Sequence, residues 1–272
     1  MNTKRLTRSV WGFSSSILVT VFLFCFLPAG GLSAQDKPEK KARKAQQQKR
    51  QKKAPVLSVP AAMKPVTDVA GLPRVLLIGD SISIGYTVGV RELLSGKANV
   101  HRPLTNCGPT TKGVKELEKW LGDKPWDVIH FNFGLHDLKY LGPKGQNLAD
   151  PKAEGSHQQV PIADYEKHLR TMVARLEKTG ARLIWRSTTP VPPGARGRVV
   201  GDSVKYNAVA AKIMKERKIT IDDMYSFTMP RLKEIMRPAN VHFTPAGSKA
   251  LAKQAVAAIT AALKKRSEPS GK

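Results

Sequence analysis

Four residues of the types used in acyl transfer lie in short polar segments of this 272-residue chain. They are a serine on a tight glycine turn, a loop glycine and two histidines, namely Ser81, Gly108, His136 and His242. In acyl transfer a serine hydroxyl attacks a carbonyl, an imidazole removes its proton, and N–H groups hold the oxyanion that forms. These residue types therefore suggest hydrolysis through a nucleophile, Ser81, and a base, His242.

The elements that position these residues follow from the hydrophobic pattern. Apolar runs typical of buried strands occupy residues 75–78, 100–104, 128–133, 183–185 and 219–221. Stretches with the apolar spacing of helices occupy residues 84–94, 114–121, 165–176, 204–214 and 245–263, the last with Thr244 as its N-cap. The alternation of apolar strands and helices predicts an α/β fold with a central parallel sheet covered by helices on both faces.

The candidate residues occupy one end of this predicted sheet. Ser81 follows the first strand, Gly108 the second and His136 the third, while His242 directly precedes the last helix. Ligands of open α/β sheets bind beyond the carboxyl ends of the strands. The sequence therefore predicts a functional site at this end.

The four segments resemble the motifs of the SGNH/GDSL hydrolase family, over residues 74–263. They are GDSIS around Ser81, NCGPTT around Gly108, GLHD around His136 and NVHFTPAG around His242. The resemblance implies a flavodoxin-like three-layer α/β/α sandwich and a carboxylic ester hydrolase. It also implies that Ser81 is the nucleophile, that His242 is the base, and that an oxyanion hole is formed by Ser81, Gly108 and His136.

Two positions depart from the family pattern. His136 stands where most members have an asparagine that donates to the oxyanion, and a neutral imidazole can still donate one hydrogen bond. Ala239 stands where the family has the aspartate that orients the catalytic histidine. The orienting residue is therefore unassigned, and Asp80, Asp137 and Asn240 are the candidates for a supporting role.

Charge is the most unusual feature of the composition. The chain has 46 Lys and Arg against 21 Asp and Glu, a net charge of +25 that is typical of a binder of nucleic acid or another acidic polymer. Residues 1–53 hold 12 basic and 2 acidic side chains, which gives +10 and leaves +15 for the remainder. Because the basic run at residues 37–53 has no aromatic residue and no recognition motif, nucleic acid is not an expected partner. We expect the run to contact an anionic surface instead.

The N-terminus has the pattern of a secretory signal peptide. Three basic residues among the first eight precede an uncharged stretch at residues 17–27 and small residues at 33–34. We expect export to the periplasm or the cell exterior after cleavage, with an uncleaved membrane anchor as the alternative. The predicted organisation is a signal peptide at 1–34, a disordered basic linker at 35–72, an SGNH hydrolase domain at 73–265 and a disordered tail at 266–272.

No metal or cofactor is expected. Two cysteines, Cys25 and Cys107, exclude both a disulfide framework and a four-cysteine zinc site. The histidines outside the motifs do not cluster at the spacing of zinc ligands; they are His101, His130, His157 and His168. Cys107 has no paired base and is predicted to be a buried packing residue.

Two long loops are expected to shape the substrate site. They span residues 142–161 and 189–201, and long loops at the active end of a sheet commonly carry specificity. Arg196 and Arg198 in the second loop are candidates for binding an acidic ligand, and a solvated loop is the alternative.

The leading hypothesis is an esterase that removes O-acetyl groups from carbohydrate. The resemblance implies this substrate class, since exported members of the family often deacetylate polysaccharides. Two alternatives remain open. One is a thioesterase or lysophospholipase that uses the same site, and the other is a catalytically decayed module that binds acidic polymers.

Overall fold

The computed structural model describes residues 59–267, and a five-stranded parallel sheet forms its centre. The strands are β1 (Arg74–Ile78), β2 (Asn99–His101), β3 (Val128–Phe131), β6 (Arg182–Arg186) and β7 (Thr220–Asp222), in the order β2-β1-β3-β6-β7. In register, Val75 of β1 pairs with Val100 of β2 and Val128 of β3. This is the flavodoxin-like strand order, as the resemblance implied.

Helices cover both faces of the sheet. The longer ones are α1 (Ser81–Leu93), α2 (Thr110–Leu121), α3 (Ile162–Glu177), α4 (Asp202–Glu216) and α7 (Pro245–Ser267). Helix α1 packs on α7, and α3 packs between α2 and α4. Two short helices, α5 (Met224–Thr228) and α6 (Leu232–Ile235), precede α7, and 3-10 turns lie at Ala61–Met63 and Met229–Arg231. The predicted three-layer α/β/α sandwich is confirmed.

Polar caps fix where the two site-bearing helices begin. Helix α1 begins at Ser81, three residues before the predicted start, because the Asp80 carboxylate accepts a hydrogen bond from Ile82 N at 3.0 Å and serves as its N-cap. At α7, Thr244 Oγ1 accepts from Gly247 N at 3.0 Å, in agreement with the predicted cap.

Small residues allow α1 and α7 to approach closely. A Cβ atom on Gly89 would lie 2.9 Å from the Cβ of Ala252, and one on Gly85 would lie 3.4 Å from Ser248 Oγ. Ser81 is the first residue of α1, and His242 lies three residues before α7. This close helix contact therefore helps to bring the two residues together.

The ordered domain extends beyond the predicted N-terminal boundary. Residues 59–72, which the sequence predicts to be part of the linker, lie against the edge of the sheet. Asp68 bonds Arg74 Nε at 3.0 Å and His101 Nε2 at 2.5 Å, while Val69 N donates to Asn99 Oδ1 at 2.9 Å. These polar contacts attach the segment to the sheet, although its composition is typical of a flexible connector.

Other predictions fall beyond the described part of the chain. The predicted signal peptide, residues 35–58 of the predicted linker and residues 268–272 of the predicted tail all lie outside it. Within the described range, no helix combines the length and apolar character needed to cross a membrane.

The insertion at residues 142–161 lies largely between two short antiparallel strands. These are β4 (Tyr140–Leu141) and β5 (His157–Gln158), in which Tyr140 pairs with Gln158. The Tyr206 hydroxyl of α4 donates to Val160 O at 2.6 Å. These contacts attach the insertion to the domain.

Candidate active site

The candidate residues lie at the point where the sheet changes direction. Strands β2 and β3 flank β1 on opposite sides, so the loops that leave β1 and β3 diverge and open a crevice. The loop after β1 carries Ser81, and the loop after β3 carries His136. The sequence predicted a site at the carboxyl ends of the strands, and the strand order of the structure places the motif residues at the switch point.

Ser81 and His242 are in direct contact. Ser81 Oγ lies 2.9 Å from His242 Nε2, although 161 residues separate them in the chain. This distance is within the range over which a histidine can take a proton from a serine hydroxyl.

Asn240 orients the His242 imidazole. Its Oδ1 lies 2.7 Å from His242 Nδ1 and also accepts from the His242 backbone N–H at 3.0 Å. Since an amide oxygen only accepts, Nδ1 carries the proton and Nε2 presents its lone pair to Ser81. Asn240 thus occupies the orienting position that sequence comparison left unassigned.

The residue before Asn240 has a left-handed backbone conformation. Ala239 has φ +50°, a conformation uncommon for residues with a Cβ. The turn lies directly before Asn240, whose side-chain oxygen accepts hydrogen bonds from the backbone N–H and the ring Nδ1–H of His242. The missing family aspartate is therefore replaced by a neutral acceptor one residue later.

Neither of the other supporting candidates bonds His242 within the described residues. Asp80 caps α1. Asp137 is fully buried, and its Oδ1 accepts from the Thr110 N–H at 2.7 Å and the Thr110 hydroxyl at 2.5 Å. Burial raises the pKa of Asp137 to about 7, and its Oδ2 has no hydrogen-bond partner among the described residues. Asp137 joins the loop after β3 to the start of α2.

Gly108 adopts the backbone conformation expected of a loop glycine. Its φ is +64°, and its N–H donates to Asn106 Oδ1 at 2.9 Å. Lys112 Nζ donates to Asn106 O at 2.7 Å and to Thr105 Oγ1 at 3.1 Å, which ties α2 to the same loop. An oxyanion at this N–H would have to share it with Asn106 or displace the Asn106 side chain.

The His136 side chain makes no hydrogen bond to the rest of residues 59–267, so its ring nitrogens are available to a ligand. Burial lowers the pKa of His136, and Lys139, Arg198 and His242 lower it further against the opposing effect of Asp80. The imidazole is therefore neutral near pH 7 and has one N–H to donate.

Arg102 is a positioning residue that sequence reasoning missed. It is buried, and its guanidinium donates five hydrogen bonds, to Pro103 O, Ser83 Oγ, Thr87 Oγ1, Gly79 O and Thr105 O. These contacts join the turn before Ser81, helix α1 and the segment that leads to Gly108. The sequence does not distinguish Arg102 from the other basic residues, because its role depends on the burial of its side chain in the fold.

We expect Gly134→Ala to destabilise the loop that carries His136. A Cβ there would lie 2.1 Å from Thr188 Oγ1, and the glycine has φ +153°. Overpacking and strain together should lower the free energy of unfolding by about 2–4 kcal/mol, measured by chemical denaturation.

Gly145→Ala is the matched control, since Gly145 has φ +78° but nothing within 4 Å of an added Cβ. It should cost about 1 kcal/mol, from backbone strain alone. Equal losses in the two variants would contradict the assigned clash with Thr188.

The histidine, cysteine and acidic side chains of residues 59–267 do not form a metal site, and the Cys107 thiol is not set up for reaction. No group of three His, Cys, Asp or Glu side chains there could hold a metal ion. Cys107 is buried and free, and burial raises the pKa of its thiol to about 11. It is a packing residue, as predicted.

This combination of a flavodoxin-like sheet with a Ser–His pair at its switch point defines a class of serine hydrolases. A family model described as GDSL-like lipase/acylhydrolase matches residues 77–250, which include all four motifs. The chain belongs to this family, which is the SGNH/GDSL family that the motifs resemble, and it is a carboxylic ester hydrolase.

Solved structures share this fold at low identity. An acetyl xylan esterase, AlAXEase, has 15% identity and a TM-score of 0.55, over 68% of this chain and 99% of that one. A lipase/acylhydrolase from Enterococcus faecalis has 19% identity and a TM-score of 0.57, over 74% of this chain and 100% of that one. An acetylxylan esterase from Geobacillus stearothermophilus has 17% identity and a TM-score of 0.53, over 69% and 94%. Comparison with curated proteins finds no match by sequence.

Proposed function

We propose that the protein is an exported esterase that removes acetyl groups from carbohydrate through Ser81 and His242. The observation that carries the proposal is the 2.9 Å contact between Ser81 Oγ and His242 Nε2. It is supported by the orienting contact from Asn240 to His242 Nδ1 at 2.7 Å. The described fold resembles two enzymes known as acetyl xylan esterases, which favours the acetyl and carbohydrate assignment.

In the first half of the reaction, Ser81 Oγ attacks the ester carbonyl carbon and His242 Nε2 takes its proton. The His136 imidazole and the N–H groups of Ser81 and Gly108 stabilise the oxyanion, which displaces the Asn106 side chain from the Gly108 N–H. When the tetrahedral intermediate collapses, the C–O bond to the alcohol breaks, and His242 returns the proton to the leaving oxygen. An acetyl group then remains on Ser81.

In the second half, His242 accepts a proton from water, and the resulting hydroxide attacks the acyl carbon. The bond to Ser81 Oγ breaks and that oxygen regains the proton, which releases acetate and restores the enzyme. Throughout the cycle the Asn240 side-chain oxygen accepts from Nδ1–H. It stabilises the charged imidazole as a neutral acceptor rather than as a carboxylate.

The acyl specificity is tested by acetate release and a chain-length series. Acetylated oligosaccharides and aryl esters with acyl chains of two to about twelve carbons should show the highest kcat/KM for acetyl. Preferred turnover of long chains would favour the thioesterase or lysophospholipase alternative. Failure to turn over any ester would favour the binding module.

We expect the rate to persist at mildly acidic pH. The base works only while His242 is neutral. Burial lowers the pKa of His242 below 6.5, and Arg198 and Arg237 lower it further, although Asp80 opposes them. Since the neutral form persists below that pH, the acid limb of a kcat/KM profile on aryl acetate should have its midpoint below 6.5. A midpoint above 6.5 would contradict the assigned surroundings of the base.

Export and tethering complete the proposal. The signal-like pattern at residues 1–34 and the basic run at 37–53 support an exported enzyme held at an anionic surface. Mass spectrometry of the mature protein should place its N-terminus near residue 35. An intact N-terminus in a membrane fraction would support the uncleaved anchor instead.

A further inference from the structure

Three cations donate to main-chain carbonyls in or beside the motif segments. Lys112 Nζ donates to Asn106 O at 2.7 Å, two residues before Gly108. Arg198 Nε donates to Leu135 O at 3.1 Å, one residue before His136. A third, Arg237 Nε, donates to Phe243 O at 3.2 Å, one residue after His242.

None of the three forms an ion pair with a carboxylate within residues 59–267, whereas other arginines there, such as Arg170 and Arg175, do. Asp80 is the nearby acidic group, and it is buried as the cap of α1. We call these three side chains the rim cations, and within residues 59–267 no acidic side chain bonds any of them.

Arg198 is the rim cation best suited to bind a ligand. Arg237 is exposed, whereas Arg198 is half-buried. Burial lowers the pKa of Arg198, and the nearby Asp80 raises it. Its Nε is bonded to Leu135 O, but its two Nη groups make no hydrogen bond to the rest of residues 59–267. They can therefore bind two oxygens of a carboxylate or sulfate.

The Arg198 loop is held in place. Gly197 O accepts from Tyr140 N at 2.8 Å, and a Cβ on Gly197 would lie 2.4 Å from the backbone of Leu148. The residue before Arg198 is thus fixed against the 142–161 insertion. Arg196, on the same loop, is exposed and makes no side-chain hydrogen bond to the described residues.

We propose that the ester substrate carries an anionic group close to the acetyl, a carboxylate or sulfate on the same or a neighbouring sugar, and that Arg198 binds it. This inference rests on the proposed function, because it names the substrate class of the same site. Such a group would supply the anionic partner that Arg198, bonded only to Leu135 O, lacks within residues 59–267.

The test compares kcat/KM for acetate release from three acetylated oligosaccharides that are neutral, uronic or sulfated. The wild-type protein should prefer an anionic one by about tenfold or more, the scale of a charged hydrogen bond. The preference should shrink between about 0.05 M and about 0.5 M salt, because salt screens the attraction. Whether the uronic or the sulfated substrate leads identifies the source of the anion.

Arg198→Gln should lower the ratio of anionic to neutral kcat/KM by about tenfold, mainly through KM for the anionic substrate. Arg198→Lys keeps the charge without the planar fork and should give an intermediate ratio. Arg217→Gln is the matched control, since Arg217 is exposed just beyond the C-terminal end of α4, and its ratio should stay within about twofold of wild type. Thermal unfolding of each variant establishes that it is folded.

The failures of the two proposals are distinguishable. Turnover of all three substrates at equal kcat/KM, or a preference that survives in Arg198→Gln, overturns this inference and leaves the esterase intact. Absence of acetate release from every substrate overturns the proposed function, and this inference with it.

Discussion

Ser81→Ala is expected to lower kcat on aryl acetate by about 10⁴-fold or more, the scale seen when a serine hydrolase loses its nucleophile. The hydroxyl, which lies 2.9 Å from His242 Nε2, is the proposed nucleophile, and alanine removes it without adding volume. Residual turnover should come only from binding and from the oxyanion donors. Steady-state kinetics on the purified variant measure the effect.

Ser95→Ala is the matched control, because Ser95 is exposed just beyond the other end of α1. It should retain wild-type kcat. A Ser81→Ala protein with more than about a tenth of wild-type kcat would contradict the assigned nucleophile.

Asn240→Ala is expected to lower kcat by about 10²-fold or more, because the imidazole loses the acceptor that fixes its tautomer. The variant loses both hydrogen bonds that Oδ1 accepts, from Nδ1–H at 2.7 Å and from the backbone N–H of His242 at 3.0 Å. The fall should lie in kcat rather than KM, since Asn240 contacts the base and not the substrate.

Asn240→Asp separates orientation from folding. A carboxylate keeps both acceptor contacts and should retain most of the activity. It also places a negative charge beside the imidazole, so the pKa of His242 and the acid limb of kcat/KM should both rise relative to wild type. An Asn240→Ala protein with wild-type kcat, or an Asn240→Asp limb that moves down, would contradict the orienting role.

The fold was predictable because its strands are continuous apolar runs. Leu76 and Ile78 of β1 and Ile129 of β3 are buried, as expected for a sheet with both faces covered. Element ends were less predictable, since α1 begins at Ser81 through the Asp80 cap. The docking of residues 59–72 was missed because it depends on contacts of Asp68 across space rather than on composition.

The site residues that lie within the sequence motifs were predictable. Ser81 and His242 follow from their segments, but the orienting residue does not. A motif records an offset along the chain, and here the left-handed Ala239 precedes an acceptor at a different offset from the family aspartate. Arg102 was equally hidden, because its five hydrogen bonds link three segments that only the fold brings together.

The charge of the chain takes on a different meaning once the site is described. The net charge of +25 includes +10 within residues 1–53, outside the described structure. Within the domain, Arg102 holds the turn before Ser81, while Arg198 is one of the rim cations. These two arginines have distinct structural settings that no overall charge could distinguish.

Labelling with a fluorophosphonate tests the central claim most directly, since this probe reacts only with a serine that a neighbouring base activates. After digestion and mass spectrometry, the account predicts one phosphonylated serine, Ser81, with labelling absent in Ser81→Ala and slowed at least about 10²-fold in His242→Ala. An unlabelled wild-type protein, or an adduct on any other serine, would contradict it.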